Sequence, residues 1–188
     1  MLAAAEAAEL ALMEFSELKR GVLSVQASHT IANYWLPRHL AAFRSANPQI
    51  EIRASIGNTV QVATAVENRA TELGFVEAAV HSKQLTSTTV ARDQIIVVAA
   101  PDHQLPKRKS ITPRHIMEVE WVLRDRGSGT RSVFEDALVE FGLKAQALRI
   151  ALELPSNEAV RSAAEAGLGA AGISASVAAP SLEAGLLQ

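Results

Sequence analysis

GVLSVQASHTIANYWLPRHLAAFRSANPQIEIRASIGNTVQVATAVENRATELGFV, residues 21–76, alternates strand and helix patterns in a way that sets the architecture. It opens on a short apolar strand, Gly21-Val22-Leu23-Ser24-Val25, and passes through the polar turn Ala27-Ser28-His29-Thr30. Leu36, Leu40 and Phe43 then recur at i, i+4 and i+7, the stripe of a helix running to about Ala46. Pro37 falls inside this span and predicts a kink between the first turn and the main helix, and Asn47-Pro48 stops it. Ile50 to Ile56 reads as a second strand, with Ile50, Ile52, Ala54 and Ile56 on one face and Glu51, Arg53 and Ser55 on the other. Gly57-Asn58-Thr59 turns into a helix carrying Val62 and Val66, and Leu73-Gly74-Phe75-Val76 is a third strand. Strands and helices alternating at this spacing mean parallel pairing and an α/β fold.

Downstream the composition changes. Residues 77–94 are polar and irregular, with Thr88-Thr89-Val90 as an expected strand. Ile95 to Ala100 is a fully apolar strand, after which a second series begins. It holds a short helix from Thr112 to about Glu118, a strand at Trp121-Val122-Leu123 and a helix after Gly127-Ser128-Gly129-Thr130 that Gly142 closes. A strand from Leu148 to Leu154, a helix capped by Ser156-Asn157 and a strand from Ala170 to Ser174 complete it. The uncharged tract Ala166 to Leu182, broken by Gly, Ser and Pro180, reads as loops around that short buried strand and not as a membrane span. The expectation is two similar Rossmann-like lobes, 21–93 and 94–188, joined near Arg92 to Ile95, with a ligand cleft between them.

Composition narrows the function. The 188 residues can bury a substantial core, and 48% hydrophobic with 20% charged residues is the balance of a globular protein. There is no cysteine, which excludes disulfides, thiolate metal sites and a Cys nucleophile. The formal charge of −2 and the scattered Lys and Arg argue against direct DNA binding by this chain, because phosphate neutralisation drives such affinity. The one dense basic run, Lys107-Arg108-Lys109, reads as a solvated loop. Residues 1–20 carry Glu6, Glu9, Glu14 and Glu17 with their basic pair last, which is not the pattern of a signal peptide. Ala, Leu and Glu dominate residues 2–19 and predict a helix too apolar to stand alone in water, one that packs on another chain or on a further part of its own, or else a core helix of the domain.

The chemistry concentrates at four turns where a strand ends and a helix begins: Ser28/His29/Thr30, Asn58/Thr59, Ser128/Gly129/Thr130 and Ser156/Asn157. In a parallel sheet such turns lie at the carboxyl edge of the strands, and each helix start presents unpaired N–H groups suited to an anion. Ser, Thr and Asn also cap ordinary helices, so each turn alone has a purely structural explanation; four turns on two lobes favour a ligand. Arg131, beside the third turn, either neutralises an anionic ligand or is solvated. Catalytic patterns are weak. The five histidines show no metal spacing, the Gly127–Gly129 pair is not a dinucleotide fingerprint, and the four aspartates form no acid/base pair. Trp35 and Trp121 read as core or interface. No enzyme, metal or cofactor is expected.

The segments Gly21 to Ile31, Leu36-Pro37, Phe43, Asn47-Pro48, Gly57-Asn58-Thr59 and Thr71 to Glu77 run in a specific order with Val97 to His103, Gly127 to Arg131, Phe134-Glu135 and Ala166 to Gly169. Together they resemble the effector-binding domain of LysR-type bacterial transcription regulators. The one small departure is Glu72, where that family usually has Asp. The resemblance implies a periplasmic-binding-protein-like pair of lobes, preceded by the end of a linker helix (residues 1–20) that pairs two subunits into a dimer or tetramer. It implies effector contacts at Ser28, His29, Thr30, Asn58, Thr59, Ser128, Gly129, Thr130, Arg131 and Asn157. It further implies a winged helix-turn-helix ahead of the linker, through which alone DNA is bound, and a return strand and helix after Gln188. The pattern is most similar to the subgroup linked with sulfur assimilation, which suggests a small inorganic or carboxylate anion as effector and a cytoplasmic setting without membrane contact. A transport receptor would share the two lobes but needs a signal peptide. An enzyme on this scaffold would need a cleft base better than His29.

Overall fold

A computed structural model describes residues 20–188. The expected linker helix at residues 1–20 lies outside them, apart from Arg20. Strand β1 (Gly21–Ser28) is the centre of a three-stranded sheet, between β2 (Ile50–Gly57) and β3 (Leu73–Phe75), and both pairings are parallel. The β1–β2 register runs without interruption from Gly21 opposite Ile50 to Ser28 opposite Gly57. Two helix starts therefore emerge side by side at one sheet edge.

The kink expected at Pro37 takes the form of a π-helical turn, Ile31–Trp35, leading into α1 (Leu36–Ala46). Proline has no N–H for the helical ladder, and the wider turn absorbs the gap. Leu36 is buried with Val25 and Ala27, and Leu40, Trp35 and Phe75 pack against them. Helix α2 (Thr59–Glu67) follows β2 and buries Val62. The alternation read in β2 is only half realised. Ile50 and Ile52 are half-buried, whereas Ile56 is 51% exposed at the uncovered end of an edge strand. The strand expected at Thr88–Val90 is absent. Residues 76–94 carry no regular element, and Val90 is exposed with no strand beside it; β-propensity needs such a partner to act on.

The second half begins with β4 (Ile95–Val98), antiparallel to β7 (Ala171–Ser174). Strand β5 (Glu120–Arg124) is parallel to β6 (Arg149–Leu154), and a parallel bridge from Trp121 to Ala170 joins the two pairs. Side-chain alternation along β5 builds two cores. Trp121 and Leu123 pack with α3 (Pro113–Glu118) and α4 (Gly129–Glu140), through Ile116, Phe134 and Leu138. Val122 points the other way, onto Val160 of α5 (Asn157–Glu165) and Val177 and Ala178 of α6 (Ala175–Glu183). Trp121 is fully buried and its Nε1–H donates to the Ile116 carbonyl at 2.8 Å, so it is a core residue.

Helix α6 corrects the reading of Ala166–Leu182 as loops around a strand. Pro180 lies inside it and forfeits one helical bond, but Val177, Ala178 and Ser181 are buried, and Ser174 Oγ accepts the Ser176 N–H at 3.1 Å. Packing outweighs the breaker. The chain then returns along β4, where Ala99 and Gln188 exchange backbone bonds of 3.0 and 2.9 Å.

Candidate functional site

The expected site residues come from strand ends in both halves, and the structure brings most of them into one polar seam. Asn157, at the start of α5 and fully buried, donates its Nδ2–H to Thr30 Oγ1 at 2.6 Å. Thr30 donates to Glu77 Oε1 at 3.0 Å, and Thr130 of α4 donates to the same oxygen at 3.1 Å. The two threonine hydroxyls are 3.4 Å apart. Asn58 crosses at the other end of the seam, donating from Nδ2 to Asp125 Oδ2 at 3.3 Å. Asp125 accepts from Arg124 Nη2 at 3.0 Å, and Arg124 Nη1 donates to Asn157 Oδ1 at 2.8 Å. Groups from both halves thus form a continuous chain of hydrogen bonds from Thr130 through Thr30, Asn157 and Arg124 to Asn58.

Capping explains some of these residues and fails for others. Asn58 forms a reciprocal box with Gln61, its Oδ1 accepting from the Gln61 N–H at 3.0 Å, and Ser156 Oγ accepts from the Ala159 N–H at 3.1 Å. Ser128 heads α4 but makes no side-chain cap bond. Its Oγ is buried without a partner among the described residues, as are Ser28 Oγ, Thr59 Oγ1 and Glu77 Oε2. Such groups are uncommon because each costs the folded state roughly 1–3 kcal/mol. All four belong to residues at or beside the seam.

Glycine lets the halves approach. Gly127 has φ +88°, in the left-handed region, and its carbonyl accepts the Val60 N–H at 3.4 Å. A Cβ on Gly129 would come within 2.5 Å of Thr59 Oγ1 and 3.0 Å of Glu77 Cγ, so only glycine permits this spacing. His29 is half-buried here, and burial, then the nearby Arg124 charge, holds its pKa below the ordinary imidazole value of 6.5.

The structure corrects one of the two alternatives for Arg131. It is not solvated: 6% exposed, it pairs with Glu135 at 2.7 Å and Glu153 at 2.9 Å and donates to the Arg124 carbonyl at 2.9 Å. Neutralising an arginine at a helix start inside the fold takes local carboxylates, and both are in reach. Sequence reasoning missed Glu77, Arg124 and Asp125. A charged residue ending the apolar run Trp121-Val122-Leu123 was a signal for Arg124, since a buried charge needs partners. Glu77, in an irregular segment, carried none. Two open concavities lie elsewhere, one lined by Leu40, Arg44 and Ile52 and one by Ser24, Arg53 and Glu72. Neither holds a buried unpartnered group among the described residues, so the chemistry points to the seam. Among the described residues no His, Asp and Glu cluster could hold a metal ion, and no helix is long and apolar enough to cross a membrane.

Comparison with known proteins agrees with this architecture. The LysR substrate binding domain family matches residues 16–188. The HTH-type transcriptional regulator YeiE of Escherichia coli K12 is 36% identical over 167 residues, 89% of this chain and 56% of the relative. The chain thus spans little more than half of that protein. The cofactor-binding domain of the Cbl transcriptional regulator superposes with a TM-score of 0.77 at 24% identity, covering 90% of this chain and 73% of the other. The regulatory domain of CcmR from Synechocystis PCC6803, solved in complex with 2-PG, gives 0.75 at 26% identity, covering 85% and 74%. A two-lobed α/β fold with helix starts meeting between its sheets, matched over nearly its whole length, identifies the chain as a member of the LysR substrate-binding-domain family.

Proposed function

We propose that this chain is the effector-sensing region of a LysR-type DNA-binding transcriptional regulator and binds a small polar or anionic molecule between lobes 21–93 and 94–188. The observation that carries the reading is the group of four buried, unpartnered polar atoms on Ser28, Thr59, Ser128 and Glu77, at a seam built from both lobes. Ser28, His29, Thr30, Asn58, Thr59, Ser128, Gly129, Thr130 and Asn157 line the site, and Arg131 supports it from behind through its carboxylate pairs. An effector that satisfies the seam better closed than open shifts the lobe equilibrium by that difference in affinity. The shift passes through self-association, as dimer or tetramer, to a winged helix-turn-helix that makes the DNA contacts.

The relatives are named as transcriptional regulators, which favours a sensor over a transport receptor and over an enzyme. A ligand-bound regulatory domain among the similar structures supports a cleft effector. The setting proposed is cytoplasmic, with no cofactor and no membrane contact.

A thermal-shift screen of anions and carboxylates tests this. A binder at a hundred times its Kd adds about 2.7 kcal/mol, roughly 5–10 °C for a chain of this length. Thr30→Ala and Ser28→Ala should lower that shift while the unliganded fold persists. Shifts unchanged in both variants would place the ligand elsewhere.

A further inference from the structure

Glu77 makes the seam more than a nest of donors. Its Oε1 already accepts two hydroxyl bonds, from Thr30 at 3.0 Å and Thr130 at 3.1 Å. Its Oε2 is buried and unpartnered, and so are the hydroxyls of Ser28, Thr59 and Ser128, each next in sequence or nearly so to a residue of the seam. The glycine geometry ties Glu77 to the α4 start, since a Cβ on Gly129 would touch both Glu77 Cγ and Thr59 Oγ1. A hydroxyl can donate; a carboxylate oxygen can only accept. The unmet inventory is therefore three hydroxyl donors and one carboxylate acceptor.

We propose that Glu77 makes the cleft selective for an oxyanion that carries its own O–H donor, a hydrogen-bearing inorganic anion or an α-hydroxy carboxylate, over anions of the same shape that offer only acceptors. The proposal rests on the reading of the seam as the effector site. An acceptor-only anion satisfies the three hydroxyls but leaves Glu77 Oε2 without a donor and sets a second negative charge beside it. Both effects are costly where water is excluded. Surplus positive charge does not offset them. Arg124 is engaged with Asp125 and Asn157, while Glu77, Asp125 and Glu158 all act on the same His29. A ligand O–H aimed at Oε2 fills the vacant acceptor and leaves its oxygens for the hydroxyls.

The test is calorimetric titration of the chain with pairs matched in shape: sulfate against hydrogen phosphate, nitrate against bicarbonate, acetate against glycolate. The wild-type chain should favour the donor-bearing member of at least one pair by about tenfold or more, the range of a hydrogen bond to a charged group. Glu77→Gln removes the charge and supplies a donor, so the preference should narrow to within about threefold, chiefly through tighter binding of the acceptor-only member. The wild-type comparison stands even if the variant folds poorly. Equal or better binding of the acceptor-only anions by wild type overturns the role of Glu77 and leaves the cleft reading in place. Donor-bearing anions that bind equally well to Ser28→Ala, Ser128→Ala and Glu77→Gln are bound elsewhere, which overturns both. No binding by any of the six anions overturns the oxyanion class.

Discussion

Replacing Ser128 with alanine separates two roles open to a serine at a helix start, because they move stability in opposite directions. A serine hydroxyl bonded to its helix contributes about 1 kcal/mol, which alanine forfeits. Ser128 makes no such bond; the residue is 2% exposed and its Oγ has no partner. Burying an unpaired hydroxyl costs the folded state roughly 1–3 kcal/mol, and the substitution removes that cost together with one small atom's packing. The expected net change in the effector-free chain is a stabilisation of about 1 kcal/mol, or roughly 2–4 °C in Tm. Ser156→Ala is the matched control, since its Oγ accepts from the Ala159 N–H at 3.1 Å. It should lose about 1 kcal/mol. Urea unfolding followed by circular dichroism measures both, and calorimetric titration then asks whether Ser128→Ala binds the effector about tenfold more weakly. If Ser128→Ala is destabilised as much as Ser156→Ala, the hydroxyl caps its helix in solution and the reasoning fails.

Gly129→Ala should wedge the lobes apart, because the added methyl meets Thr59 and Glu77. Small-angle scattering should show a larger radius of gyration, and effector affinity should fall by about tenfold or more; unchanged affinity would mean the lobes need not meet here. Arg131→Met should destabilise by about 2–3 kcal/mol through loss of its paired, buried guanidinium, with effector affinity kept within about threefold. A large affinity loss at unchanged stability would return Arg131 to the site. His29 and His103 both have folded-state pKa values lowered, each mainly by burial. The unfolded chain then binds more protons just below pH 6.5, so stability is full above that value and falls as pH drops through the folded pKa values. His29→Gln should flatten part of this slope in urea titrations between about pH 5 and 7, and an unaltered slope would rule His29 out.

Periodic segments made the order of elements legible. The stripe at Leu36, Leu40 and Phe43, the alternating Ile50–Ile56 and the apolar runs before each polar turn gave the parallel first sheet and the helix starts with boundaries within a few residues. The same local reasoning failed where packing overrides propensity. Pro180 suggested loops, yet Val177, Ala178 and Ser181 hold a helix against the core, and Thr88–Val90 has strand-forming residues but nothing to pair with. The candidate site was legible as residue types at strand ends, since Ser, Thr and Asn there follow from chain order alone.

Chain order could not say which of those groups cap and which are left without partners, nor which charges pair. That depends on distances between residues about a hundred positions apart, such as Thr30 with Thr130 and Asn157, and on how far Gly129 lets the lobes approach. An alternating α/β chain and the polar turns at its strand ends follow from local pattern alone, because hydrophobic periodicity and capping act within a few residues. Folding brought Glu77, Arg124 and Asp125 into the seam and buried Arg131 between Glu135 and Glu153. Hydrogen bonds and ion pairs are satisfied by whatever lies within about 3 Å in space, however distant along the chain.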